Sequence, residues 1–340
     1  MRIAILSHPK LPTPATGYGG AERVAHLTAS EFSRMGHEVT MFVAAGSAPG
    51  QPYRSKPYEG PRDAFWEGAV PRDWSFLSGF DVVHNHPFGT QTWGWFLLER
   101  MLRANPALVT TLHSGLPYWS RPHHAVLGRW RRRRLSFIVL NRQELEYAGR
   151  HGLRGVHFVP IPVVDGTFRG TKEDYLLFFG RLSREKGLPW ALEVAERTGV
   201  RLVIAGPGDD RALKELRPRL SKTIEYRGTV TDEEKDRLFA GARAFLFPTQ
   251  WKEGMPAVVA EAAIRGTPVI TTAFSAVDLL VKDGETGFVC KTPDEMVAAI
   301  SRIDGVRPRA CRDFVAKTVS PEAVARRHLD VYRDVMAGAR

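Results

Sequence analysis

Two stretches of the chain collect side chains suited to anions and hydroxyls. In Phe179-Gly180-Arg181-Leu182-Ser183-Arg184-Glu185-Lys186-Gly187, the cations Arg181 and Lys186 follow an apolar run and precede a helical pattern. Cations at the carboxyl end of a strand suit a diphosphate, because arginine forks two oxygens and lysine adds a point charge that neutralises a departing nucleoside diphosphate. Arg184 and Glu185 read as surface charge. In Glu253-Gly254-Met255-Pro256-Ala257-Val258-Val259-Ala260-Glu261, two carboxylates lie eight positions apart across a loop and the start of a helix. Glu253, in the loop, is placed to accept hydrogen bonds from sugar hydroxyls, and Glu261, two turns down the helix, to hold a ribose diol with both oxygens. Between them the N–H groups of Met255, Ala257 and Val258 are available to phosphates. The same pair also reads as an ordinary solvated helix face.

A third group is the loop Gly17-Tyr18-Gly19-Gly20, directly before Ala21-Glu22-Arg23. Glycine lets backbone N–H groups approach an anion, and a helix start adds partial positive charge. The loop lacks the GxGxxG spacing, so a nicotinamide cofactor is not favoured. His84 and His86 form a His-x-His, but no cysteine or carboxylate nearby completes a ligand set, so no metal is expected. His86 is assigned to an acceptor side, and His123-His124 to loop surface.

The elements that must position these residues follow from periodicity. Arg2 to Ser7 reads as a strand, Ala21 to Met35 as a helix closed by Gly36, and Glu38 to Ala44 as a strand, which makes a βαβ unit. β-like runs follow at Asp81 to His84, Ala107 to His113, Ser136 to Asn141 and Val156 to Pro160, spaced widely enough for crossover helices. The alternation restarts with strands at Tyr175 to Phe179, Val200 to Ala205, Thr223 to Tyr226, Ala244 to Phe247 and Pro268 to Thr271. Helices are expected between them at Leu188 to Arg197, Asp210 to Leu216, Asp232 to Ala240 and Ala257 to Ile264. Pro160-Ile161-Pro162 forbids a continuous helix and marks a domain junction. The expected domains are residues 1–164 and 165–319, followed by a terminal helix within 320–340 that opens with Ser320-Pro321-Glu322. Doubly wound sheets bind ligands beyond the carboxyl ends of their strands, so two such domains suggest a cleft between them as the site.

Composition narrows the classes. With 340 residues, 43% apolar and 25% charged, the chain suits two globular domains. No apolar stretch approaches the roughly 20 residues of a membrane span, and the first residues do not resemble a signal peptide. Cys290 and Cys311 are the only cysteines and lack metal-ligand spacing, so a cytoplasmic location is expected. The net charge of +11 admits nucleic acid, an anionic membrane or a phosphorylated substrate. The densest run, Arg129-Trp130-Arg131-Arg132-Arg133-Arg134, follows Tyr118-Trp119. It reads equally as a solvated helix face or as a peripheral contact with anionic lipid through Arg129, Arg131, Arg132, Arg133 and Arg134.

Taken together, Gly180-Arg181-Leu182 with Glu185-Lys186-Gly187, the spacing of Glu253 and Glu261, and Glu261-Ala262-Ala263-Ile264-Arg265-Gly266-Thr267-Pro268-Val269 resemble the GT4 family of retaining glycosyltransferases. Gly284-Glu285-Thr286-Gly287-Phe288, Gly19-Gly20-Ala21-Glu22-Arg23, Asp81-Val82-Val83-His84 and Thr111-Leu112-His113 extend the resemblance over nearly the whole chain. It implies an α/β GT-B fold: two Rossmann-like domains whose parallel sheets face across a cleft, the second holding a nucleoside-diphosphate sugar and the first receiving a hydroxyl acceptor. The final helix returns to the first domain. No divalent metal and no cofactor are implied, in line with the absence of a D-x-D motif.

By the same resemblance, Arg181 and Lys186 are diphosphate ligands, Glu253 meets donor-sugar hydroxyls, Glu261 meets ribose and His113 lies beside the transferring sugar. Gly19 and Gly20 approach the donor, Gly206 lines the site, Arg227 to Val230 edge the base, and Gly254, Met255, Pro256, Ala257 and Val258 form the donor loop. The chain departs from the family in Ile161-Pro162, where Asn-Gly is frequent, and in Gly254-Met255-Pro256, where a Phe-Gly form is usual. A sugar-nucleotide epimerase or a phosphorylase on the same fold is the alternative, and a basic nucleic-acid-binding protein a more distant one.

Overall fold

The computed structural model describes residues 1–14, 20–58, 62–63, 70–87, 94–105, 107–113, 136–251, 254–273 and 277–339. Two compact units divide the chain: Met1–Pro162 with Pro321–Arg340, and Val163–Ser320.

The first unit contains β1 (Arg2–Leu6), β2 (Glu38–Val43), β3 (Arg54–Pro57), a short antiparallel pair β4 (Arg62–Asp63) and β5 (Val70–Pro71), then β6 (Val82–Asn85), β7 (Leu108–Thr111), β8 (Ser136–Val139) and β9 (Val156–Phe158). Its main sheet has seven parallel strands in the order β3-β2-β1-β6-β7-β8-β9. β1 is buried on both faces. Ile3 and Ile5 pack with Phe32 of helix Gly20–Arg34 and with Val324 and Tyr332 of the terminal helix Pro321–Ala339. Ala4 and Leu6 enter the opposite core with Val83 and Leu98. Such two-sided burial is why parallel strands read as near-continuous apolar runs.

The second unit repeats the winding with β10 (Leu176–Phe179), β11 (Leu202–Ala205), β12 (Ile224–Tyr226), β13 (Ala244–Phe247), β14 (Val269–Thr272) and β15 (Gly287–Cys290), in the order β12-β11-β10-β13-β14-β15. All pairings are parallel. The order reverses between β10 and β13, the switch point at which doubly wound sheets bind ligands.

Local chemistry sets the helix limits. Helix Leu188–Thr198 begins at Gly187 (φ +80°) and ends at Gly199 (φ +68°), whose N–H donates to the Ala195 carbonyl. Asp209 caps helix Asp210–Leu216 and Thr231 caps helix Asp232–Gly241, each side chain accepting a backbone N–H of the first turn. Three apolar contributors, Leu176, Leu246 and Ile270, run through the second core beneath these helices. No helix among the described residues is long and apolar enough to cross a membrane.

Candidate active site

In the second unit, four of the residues expected at a donor site, Arg181, Gly206, Arg227 and Val230, follow the carboxyl ends of neighbouring strands. Gly180 and Arg181 leave β10, Gly206 leaves β11, Arg227 and Val230 follow β12, and the loop after β13 leads to helix Ala257–Ile264. Gly180 (φ +144°) and Gly206 (φ +130°) meet closely, and a Cβ on Gly206 would stand 2.1 Å from the Gly180 carbonyl oxygen. The strand ends are laced by backbone bonds: Gly180 N–H to Ala205 O (3.0 Å), Leu182 N–H to Pro207 O (2.8 Å) and Gly206 N–H to Gly228 O (2.8 Å). The Tyr226 hydroxyl donates to Gly206 O at 3.0 Å. The result is a floor of backbone at β10, β11 and β12 with no side chain on its glycines, the form a close-lying ligand requires.

Arg181 projects to solvent, its side chain 66% exposed, with Glu185 Oε2 at 3.7 Å. Arg184 pairs with Glu215 at 3.6 Å. The expectation of plain surface charge therefore holds for Arg184 but is incomplete for Glu185, which faces the arginine assigned to the diphosphate. The Glu185 carbonyl also accepts from Gln250 N–H (2.8 Å) and from the Thr249 hydroxyl (3.2 Å). A Cβ on Gly187 would lie 1.9 Å from Pro248 O, so only glycine lets the two loops touch. These contacts tie the Arg181–Lys186 loop to the segment after β13.

That segment turns into helix Ala257–Ile264 through Pro256, the N-cap residue, which makes no side-chain cap hydrogen bond. The N–H groups of Ala257 and Val258 lie in the first turn, where a helix supplies no acceptor of its own. Met255 is buried, packing the donor loop inward. Glu261 is the fifth residue of the helix, a little over one turn in rather than two. Its Oε1 stands 3.2 Å from Lys235 Nζ, on helix Asp232–Gly241. One oxygen of the carboxylate expected to meet a ribose is thus engaged by a lysine that the sequence did not place there. Glu253, Gly19, Arg129 and Arg131 to Arg134 lie outside the described residues, as do Gly17, Tyr18, Tyr118, Trp119 and His123-His124.

In the first unit Gly20 opens helix Gly20–Arg34, with nothing within 4 Å of where its Cβ would sit. His113 lies two residues beyond β7. Burial pushes its imidazole down to about 4, so it is neutral at ordinary pH. Its Nε2 meets His86 Nδ1 at 3.1 Å. His84 sits beside them within β6, its Nε2 2.7 Å from Thr111 Oγ1 and its Nδ1 2.6 Å from the Tyr332 hydroxyl. Both ring nitrogens of His84 are thus occupied by hydrogen bonds. Among the described residues no group of three His, Cys, Asp or Glu side chains is arranged to hold a metal. The sequence reading missed Glu185, Lys235 and the pairing of His86 with His113. His-x-His at a strand end was the visible signal for the last.

Residues 18–163 match the family described as Glycosyltransferase Family 4, and residues 173–303 match Glycosyl transferases group 1. A phosphatidyl-myo-inositol mannosyltransferase of Mycobacterium leprae is 25% identical over 263 residues, 70% of this chain and 68% of that relative. The Mycolicibacterium smegmatis protein of the same name is 26% identical over 251 residues, 67% of this chain and 63% of its own length. The matched stretch thus spans about two thirds of these relatives. Among solved structures, AviGT4, a glycosyltransferase involved in avilamycin A biosynthesis, superposes with a TM-score of 0.73 at 26% identity, covering 99% of this chain and 98% of that one. Anabaena HepE, solved in complex with UDP and glucose, gives a TM-score of 0.75 over 98% of this chain and all of that one, at an identity of 14% that speaks to fold alone. Two doubly wound parallel units with these neighbours are the GT-B fold, and with both its halves matched the chain belongs to glycosyltransferase family 4.

Proposed function

We propose that the chain is a retaining, metal-independent glycosyltransferase that moves a sugar from a nucleoside-diphosphate donor to a hydroxyl acceptor. The observation that carries this reading is the second unit's set of strand ends: bare glycine backbone at β10 and β11, the cations Arg181 and Lys186 on a loop locked to the segment after β13, and a helix start whose N-cap residue is a proline that makes no side-chain cap hydrogen bond. A diphosphate needs donors and positive charge, and this edge offers both. Glu261 takes a ribose hydroxyl, Glu253 and Gly254 to Val258 line the sugar and diphosphate, Gly206 and Val230 border the nucleoside, and His113 with Gly19 and Gly20 serves the transferring sugar.

In the proposed reaction the bond between C1 and the diphosphate oxygen breaks while the acceptor oxygen bonds C1 on the same face. The acceptor proton passes to the departing diphosphate. Arg181 and Lys186 stabilise the charge that develops on that leaving group, the largest effect such a site has to offer. The mannosyltransferase relatives act, by name, on phosphatidyl-myo-inositol, a lipid-borne acceptor. Together with the basic run Arg129 to Arg134, they support an acceptor met at an anionic membrane surface.

The test is a thermal-shift screen against UDP, GDP, ADP and their sugar conjugates in EDTA, followed by transfer of labelled sugar. A rise in melting temperature with one diphosphate, and label recovered in an acceptor, is the expected result. Donor isomerisation or phosphate-dependent cleavage would assign the chain to an epimerase or a phosphorylase instead. Retention on anionic liposomes at low salt tests the membrane contact, and its absence removes it.

A further inference from the structure

His86 is the residue immediately after β6, and His113 follows the neighbouring strand β7, with Asn85 paired in register with Thr110. Parallel pairing therefore brings two imidazoles together at adjacent strand ends, with ring centroids 5.3 Å apart, 31° between the ring planes and His86 Nδ1 3.1 Å from His113 Nε2. His86 is only 4% exposed, and its Nε2 is buried with no hydrogen-bond partner among the described residues.

A neutral imidazole has one N–H and one lone pair, so the contact between the rings admits two arrangements. If His113 donated from Nε2, His86 would accept at Nδ1 and hold its own proton on Nε2, leaving an N–H buried without an acceptor. If His86 donates from Nδ1, its Nε2 carries only a lone pair. A buried N–H without a partner is the rarer and costlier of the two defects. Burial also keeps both rings uncharged, so a doubly protonated donor does not intervene.

We infer that His86 is a positioning residue that donates its Nδ1–H to Nε2 of His113 and so fixes His113 in the tautomer bearing its proton on Nδ1. The wall behind His86 is firm: the His84 ring lies 4.1 Å from it, centroid to centroid, and is pinned by Thr111 and Tyr332. His113 then offers its ligand a hydrogen-bond donor, and a sugar hydroxyl oxygen is the group that would receive it. This last step alone rests on the proposed role of His113.

Imidazole nitrogen NMR of the histidine-labelled protein reads the tautomer directly, without activity. The expected spectrum shows His113 protonated on Nδ1 and His86 likewise; protonation of His113 on Nε2 overturns the inference. In His86→Asn, whose amide nitrogen stands near the place of Nδ1 and donates, the His113 tautomer and kcat are retained. In His86→Phe the tautomer becomes mixed and kcat falls about tenfold, with the donor KM nearly unchanged. A pure Nδ1–H tautomer and full kcat in His86→Phe would overturn the positioning role. The expected wild-type tautomer together with full activity in His113→Ala would leave the hydrogen-bond assignment standing and remove the sugar-facing role instead.

Discussion

Lys235 Nζ lies 3.2 Å from Glu261 Oε1, although the two residues belong to different helices, and both side chains are largely covered, at 12% and 16% exposure. Asp232 approaches the same ammonium at 3.6 Å. The ammonium contacts one oxygen of the Glu261 carboxylate; on the proposed function the other, Oε2, is the one that meets a ribose hydroxyl.

Lys235→Met therefore acts on binding and on stability together. It removes the partner of a largely covered carboxylate, for which about 1 to 2 kcal/mol of folding stability is expected to be lost. Affinity for the nucleoside diphosphate should fall as well, while affinity for inorganic pyrophosphate, which has no ribose, should not. Glu261→Gln should reproduce the affinity loss, by about tenfold, with little loss of stability. Calorimetric titration with both ligands checks this, and equal weakening towards pyrophosphate would detach Glu261 from the ribose.

Arg181 and Lys186 make opposite cases. Lys186→Ala should lower kcat about a hundredfold to a thousandfold, the range seen on removing one donor to developing charge. Glu185→Gln should do the reverse in small measure. It releases Arg181 from a pair with both side chains more than half exposed, so stability should move by less than about 0.5 kcal/mol. Diphosphate affinity should tighten about twofold to fivefold at low salt, less at high salt. Unchanged turnover in Lys186→Ala would withdraw its leaving-group role.

The strand ends that present these residues were legible because buried parallel strands such as Leu176–Phe179 and Ala244–Phe247 are short apolar runs. β3 was not. Its sequence Arg-Ser-Lys-Pro is exposed throughout, and only backbone pairing of Thr40 with Arg54 and its neighbours makes it a strand. The helices Pro293–Ile300 and Pro308–Val319 also went unread, although Thr292 before Pro293, and proline at the start of each helix, are ordinary start signals. Within the site, residue types at strand ends were readable, but their partners were not. Lys235 meets Glu261 across 26 residues, and His86 meets His113 across 27, through crossovers whose packing no local pattern encodes.

Gly206→Ala tests the bare backbone floor. Alanine would be strained at φ +130°, and its Cβ would meet the Gly180 carbonyl oxygen at 2.1 Å, a backbone atom that cannot turn aside. A loss of about 2 to 4 kcal/mol is expected from strain and overlap together. Gly284→Ala, also at positive φ but with open space around its Cβ, should cost about 1 kcal/mol. Denaturant midpoints compare the two, and equal losses would mean that the contact between β10 and β11 is looser than described.

Acid should loosen the first unit well before its carboxylates protonate. His113 and His328 are both pushed down to about 4 by burial, while His84 and His86 are pushed down by burial first and by neighbouring histidine charges second. The ordinary histidine value is near 6.5, so between these limits the unfolded chain binds protons that the folded chain refuses. Folded-state stability is therefore complete above about pH 6.5 and declines as pH falls towards 4. For each histidine the decline approaches about 1.4 kcal/mol per pH unit. His328 donates from Nδ1 to the Val324 carbonyl, an acceptor of its own helix, and its ring packs edge-on against Phe32. His8, His26, His37 and His157 are pushed down by burial as well, and His328→Gln removes one of these titrations, so the denaturant midpoint should fall less steeply from pH 7 to pH 5 than in the wild type. A wild-type midpoint that stays level over that interval would mean that these rings are hydrated and protonate without unfolding.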